Sequence, residues 1–259
     1  MKAENIVRKR RMIAALVTLF STACIIISIL FITLLSPDRK NGQESAVHSS
    51  THIDTTNKGS KIQAGSHIFF GTYEQDNDAS NGKEDIEWLV LANEGDKALL
   101  ISQYGLDGKP YADNLNDTLW ETCSLRKWLN EDFIDIAFSP EEQSRIISSA
   151  VTADKNPKYS TSPGNDTTDK VFLLSISEVE KYFSSYSDRP CHGTAYCHAQ
   201  GTIKSSITGY CWWWLRTPGD TPIYAVVIED DGTLELGGDR VTLGGQAVRP
   251  AMWIDTKDL

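Results

Sequence analysis

Two cysteines and two histidines fall within eight residues in the stretch CHGTAYCH, Cys191 to His198. Thiolate sulfur and imidazole nitrogen are the usual ligands of zinc. A zinc site needs four donors converging on one ion, and two adjacent Cys-His pairs with no separated second knuckle converge poorly. Cys191, His192, Cys197 and His198 are therefore weak metal candidates. A Cys191–Cys197 disulfide is the second reading, open to a domain outside the cell. Reduced, unpaired thiols are the favoured one. The loop DNDASNGKEDIE sets Asp76, Asp78, Ser80 and Glu87 near the ligand positions of a calcium loop. Asn81 stands where such a loop needs glycine, so a solvated connection between strands is expected. No cofactor is expected.

The second chemical feature is GYCWWWLRTPGD, Gly209 to Asp220. Alternation along a strand sends Trp212 and Trp214 one way and Trp213 the other. The favoured reading makes both faces core. The alternative leaves one face as an aromatic platform for a sugar ring or a peptide. Tyr210 continues the face of Trp212 and Trp214, so those two are expected to be the buried pair. Trp213, on the smaller face with Cys211 and Leu215, is the ring that a helix covers or a ligand uses. Arg216 carries a forked donor suited to carboxylates, and Arg249 is its counterpart before Pro250. Trp213, Arg216 and Arg249 are the candidate ligand-binding residues. No catalytic residue can be assigned, because a triad is defined by neighbourhood in space.

These residues need a scaffold, and the chain announces one in four parts. Residues 1–11 form a basic tail of net charge +4 in a chain of −10. Residues 12–35 carry no charge and are long enough to cross a bilayer as a helix, which takes about 20 apolar residues. Positive charge before the segment places the tail in the cytoplasm and the body outside, with the anchor uncleaved. Residues 36–64 are rich in Ser, Thr, Asn and Lys and read as a flexible linker. Residues 65–259 hold all seven tryptophans and suffice for one core.

Within that body the patterning is α+β: short strands, a helical middle, then strands again. IEWLVLAN and KALLISQ read as a hairpin, the first strand buried on both faces. In the helical middle Leu125, Trp128 and Leu129 share a face, as do Phe133 and Ala137. Ser139, Pro140 and Glu142 read as a cap, a first-turn proline and a capping-box acid. Ser177 and Glu180 repeat that spacing. Asp231-Gly232 marks a late hairpin.

Three segments, IEWLVLANEGDKALLISQYGLD, WETCSLRKWLNEDF and WWLRTPG followed by AVRPAMWI, resemble the bacterial family called domain of unknown function 6273, over about His67 to Ile254. The closing WLR and VRPA pattern is also similar to the C-type-lectin-like fold shared with the formylglycine-generating enzyme. That enzyme relies on a cysteine pair near its C-terminal end. Here only Cys211 stands near the tryptophans, so no catalytic residue carries over. The resemblance implies a C-type-lectin-like mixed domain behind one transmembrane helix.

The acidic body offers no basic stripe to phosphates, which disfavours nucleic acid. The reading is a single-pass, membrane-anchored extracytoplasmic module binding a glycan or peptide. The alternatives are a cell-envelope enzyme with unassigned catalytic residues and a structural partner of other membrane proteins. A pocket of acids with shifted pKa values would favour the enzyme, and an open aromatic groove without them the binder.

Overall fold

The structure, a computed structural model, describes residues 62–257. The basic tail, the expected span 12–35 and the linker up to residue 61 lie outside the described residues. Among those described, no helix is long and apolar enough to cross a membrane.

Strand β1 (His67–Tyr73) pairs antiparallel with β2 (Glu84–Glu94), which turns through Gly95 and Asp96 into β3 (Lys97–Ser102). Gly95 adopts φ 70°, the left-handed conformation that a two-residue hairpin loop requires and glycine enters without steric cost. The expected hairpin is present. Burial of β2 on both faces holds only toward its end, where Val90 and Leu91 are both buried. Ile86, Trp88 and Val90 are buried, while Glu87 and Leu89 on the opposite face are only half-buried. Asp85 and Glu87 share that face, and their charges keep it at the water.

After the short β4 (Asp107–Gly108) comes the helical middle. Helix α1 begins at Ser124–Trp128, passes through a π turn at Leu129–Phe133 and ends at Ile134–Ala137. Leu125, Leu129, Phe133, Ile134 and Ala137 are buried, Trp128 is half-buried and Ile136 is exposed. Asn130, inside the π turn, donates to the carbonyls of Arg126 and Val171 and accepts the Lys170 N–H. One side chain thus ties the irregular turn to the strand beside it.

Helix α2 (Pro140–Arg145) starts as its sequence predicts. Ser139 Oγ accepts the Glu142 N–H at 3.3 Å, and Glu142 Oε2 accepts the Ser139 N–H at 2.8 Å. Glu142 Oε1 also accepts the Gly71 N–H from β1 at 3.0 Å. Ser139→Ala is expected to cost about 1 kcal/mol, which lowers the melting temperature by about 2–4 °C in a domain of this size. A calorimetric melt checks it, and an unchanged midpoint would contradict it.

Strands β5 (Ile146–Ile147), β6 (Ser149–Val151), β7 (Thr167–Asp169) and β8 (Val171–Phe172) lead to helix α3 (Ile176–Tyr182). Its cap is Ser175 with Glu178, two residues before the expected Ser177 and Glu180. Both pairs have the right spacing. The earlier one prevails because Arg216 also holds the Glu178 carboxylate.

Helix α4 (Ala195–Ala199) precedes β9 (Trp213–Pro218), β10 (Tyr224–Ile228), β11 (Leu234–Arg240), β12 (Ala247–Val248) and β13 (Ala251–Asp255). The β10–β11 hairpin closes at Asp231-Gly232 as expected. Gly232 has φ 89°, and a Cβ there would meet the Tyr186 carbonyl oxygen. The strands form a six-stranded sheet in the order β1-β2-β3-β13-β5, with β8 also on β13. A five-stranded sheet runs β11-β10-β9-β12-β4, and β6 and β7 pair alone. Only Arg249 and Pro250 separate β12 from β13, so the chain changes sheets there. The domain is mixed α+β.

Candidate functional site

The tryptophan strand lies inside the second sheet, between β10 and β12. Every residue of β9 is buried. Trp213 and Trp214 are both 0 % exposed, and Trp212, just before the strand, is the half-buried one. The expected pairing of Trp212 with Trp214 as the buried rings is corrected: sheet neighbours and side-chain layers cover both faces of β9, whereas Trp212 precedes the strand. Trp213 Nε1 donates to the Arg189 carbonyl at 3.2 Å, and Trp214 Nε1 to the Lys109 carbonyl at 3.0 Å. The favoured reading of the run, core on both faces, holds for the strand.

Arg216 and Arg249 are buried as well, at 4 % and 2 % exposure. Arg216 forms an ion pair with Glu178 and donates to the Leu173 and Thr152 carbonyls. Arg249 donates to the carbonyls of Ser102 and Arg189, at 2.9 and 3.2 Å. Its guanidinium lies 5.0 Å from the Trp213 ring centre. Trp213, Arg216 and Arg249 are thus interior residues, not an open platform. Trp213 Nε1, the Arg216 guanidinium and the Nε and Nη1 of Arg249 donate to main-chain carbonyls, and Arg216 also to one carboxylate.

CHGTAYCH divides between inside and outside. Cys191 and Cys197 are buried, and His192 is exposed. Cys197 Sγ contacts Thr202 Oγ1 at 3.1 Å, His198 Nδ1 meets the Thr202 carbonyl at 3.0 Å, and His192 stacks on Tyr210 at 4.3 Å. The four side chains do not converge on one point. Cys123, Cys191, Cys197 and Cys211 are all free thiols.

The open feature is a cleft of about 340 Å³ between the β1–β2 hairpin and the segment around His192. That is within the range of small-ligand sites, about 300–1,000 Å³. Asp76, Glu84, Asp85 and Glu87 line it, with Phe69, Tyr104 and His192, and no lysine or arginine lines it. Phe69 is 66 % exposed because its neighbour Phe70 occupies the inward position on β1. Main-chain bonds hold the two walls together: Gln103 N–H to the Glu87 carbonyl at 2.9 Å, Gly105 N–H to the His192 carbonyl at 2.9 Å, Tyr196 N–H to the Gln75 carbonyl at 3.0 Å. The site is therefore held by backbone, with Phe69, Asp76 and Asp85 exposed and Glu84 and Glu87 half-buried.

One oxygen each from Glu74, Asp76 and Glu84 come within 4.8 Å of one another. This set could hold a hard cation through oxygen ligands, though it is not the set expected at Asp76, Asp78, Ser80 and Glu87. Amides of the same loop already use these oxygens. Glu84 Oε2 accepts the Gln75 N–H at 2.6 Å, and Asp76 Oδ1 accepts the Asp78 N–H at 2.8 Å. Asp78, tied to Ser80 by side-chain and backbone hydrogen bonds, is held below the ordinary carboxylate range.

Two carboxyl groups are pushed up, Asp107 and Glu229, each chiefly by burial. Tyr73 donates to Asp107 at 2.6 Å. Neither acid lines the cleft. Sequence reasoning singled out Asp76, Glu87 and His192 for other reasons and missed Phe69 and Tyr104. A signal for Phe69 existed: in HIFFGTY only one of two adjacent phenylalanines can face the core.

A family model described as Domain of unknown function (DUF6273) matches residues 95–256, well over half of the chain. No curated protein and no solved structure matches it. The matched segment supplies Tyr104 and His192–Thr194 to the cleft, and the opposite wall precedes it.

Proposed function

We propose that this chain, which belongs to the DUF6273 family, is a membrane-anchored extracytoplasmic module of C-type-lectin-like fold that binds a peptide or glycan in the acidic cleft. The anchor and its orientation rest on the uncharged segment 12–35 behind a basic tail. The fold assignment rests on the WLR and VRPA pattern and the α+β arrangement.

One observation carries the binding reading. Four carboxylates, two aromatic rings and His192 open on one cleft, with no lysine or arginine lining it. Glu87 meets His67 Nδ1 at 2.8 Å, and the surplus of negative charge that remains in the cleft attracts a cation, to which aromatic faces add. Lysine- or arginine-bearing peptides and amino sugars fit this chemistry better than neutral or anionic ligands. The acids with raised pKa values lie elsewhere, which favours binding over catalysis in the cleft.

Probing a peptide and glycan array with the full chain tests the proposal. Basic peptides or amino sugars are expected to be retained, and salt should weaken their binding. Retention of only anionic ligands, or of none, would overturn it.

A further inference from the structure

Beneath the cleft floor lie two thiols that the binding reading does not use. Cys191 and Cys211 are antiparallel bridge partners. The Cys211 N–H donates to the Cys191 carbonyl at 2.9 Å, and Cys211 Sγ approaches the same oxygen at 3.1 Å. Cys191 Sγ in turn lies 3.3 Å from the His192 carbonyl oxygen. Directly opposed antiparallel residues have Cα atoms about 4.5–5.5 Å apart, inside the disulfide window of about 4.4–6.8 Å.

A third group completes the arrangement. The Arg249 guanidinium acts on both thiols, and among the described residues Arg249 has no carboxylate partner. A buried cation with only carbonyls and rings around it favours an anion nearby. Burial opposes ionisation of Cys191. The neighbouring Cys211 thiol and the Arg249 charge outweigh burial and lower the thiol to about 7. Cys211, beside Cys191 and itself buried, is pushed up. Cys191 is therefore the more acidic thiol of the two and the one that attacks as thiolate.

We propose that Cys191 and Cys211 are a redox-active pair that closes to a disulfide by exchange with a small-molecule or protein disulfide. When the segment at the exposed His192 opens and uncovers the buried Cys191 sulfur, its thiolate attacks one sulfur of the oxidant R–S–S–R. A mixed disulfide forms and the first RS⁻ leaves. Cys211 gives up its proton, which that thiolate takes, and its sulfur attacks Cys191 Sγ. The second RS⁻ leaves and is protonated by the proton that Cys191 had released to solvent. The protein loses two electrons and two protons, and the oxidant becomes two thiols.

Cys197 is a spectator. Burial pushes its thiol up to about 12. Its sulfur and that of Cys211 each stand 3.6 Å from where a Cβ on Gly105 would be, so it is near the pair without being paired. Closure would pin Cys191, and with it the adjoining His192, Gly193 and Thr194 of the cleft, to the strand that carries the tryptophans.

The test is incubation of the full chain with glutathione disulfide, followed by intact-mass measurement and peptide mapping. Wild type and Cys197→Ser are expected to lose two hydrogen masses and yield one peptide linking Cys191 to Cys211. Cys211→Ser should stop at a glutathione adduct on Cys191. A wild-type protein that keeps both thiols, or a linked peptide joining Cys191 to Cys197, would overturn the proposal. The wild-type map decides even if a variant does not fold, and ligand binding plays no part in the readout.

Discussion

Trp213→Ala and Trp214→Ala should each lower folding stability by about 3–5 kcal/mol, the cost of emptying a large buried aromatic site. Both rings are fully buried, and both indole N–H groups bond to carbonyls. Truncation opens a cavity, takes the donor from the Lys109 carbonyl in Trp214→Ala and leaves the Arg189 carbonyl with Arg249 alone in Trp213→Ala. Tyr111 would lose its edge-on partner, since it meets Trp214 at 5.8 Å. Total stabilities of about 5–15 kcal/mol leave little margin for such a loss. Trp212→Ala should cost under about 2 kcal/mol, because a half-buried ring forfeits only part of its transfer free energy. Urea titrations of the three variants check this. Equal losses at all three positions would contradict the burial order.

Arg216→Ala should cost about 3–5 kcal/mol, as removal of one partner of a buried ion pair does. The carbonyls of Leu173 and Thr152 lose their donor, and the Glu178 carboxylate loses its counter-charge while still capping α3. Replacing both partners with apolar residues, as Arg216→Met with Glu178→Leu, should restore much of the loss. What remains is the cap, worth about 1 kcal/mol. A double variant as unstable as Arg216→Ala would place the energy in the carbonyl contacts, not in the pair.

Features encoded by neighbours in sequence were legible in advance. The hairpin at Gly95, the cap of α2 and the turn at Asp231-Gly232 each depend on a few adjacent residues. The burial of β9 depends on what lies above and below it, which alternation cannot report. Alternation placed Trp213 opposite Trp214 but could not say that both faces are covered. Ser175 and Ser177 offered two caps of equal local quality, and Arg216, about 40 residues later, decides between them. The cleft was illegible for the same reason. Its walls come from residues about 100 apart in sequence, joined by main-chain bonds that carry no side-chain signature. The Cys191–Cys211 pairing likewise arises from a bridge between segments, while sequence spacing drew attention to Cys197.

The central claim is that the acidic cleft, not the tryptophan strand, is the binding surface. The most direct measurement is the affinity of one basic peptide retained on the array for three full-chain proteins. These are wild type, a cleft variant combining Phe69→Ala with Asp85→Asn, and Trp212→Ala. Phe69 and Asp85 are exposed, so their replacement should leave the fold intact. The cleft variant is predicted to bind about tenfold or more weakly, a loss of about 1.4 kcal/mol or more, while Trp212→Ala binds as wild type. Loss of affinity in Trp212→Ala with the cleft variant unchanged would put the ligand on the aromatic strand and contradict the account.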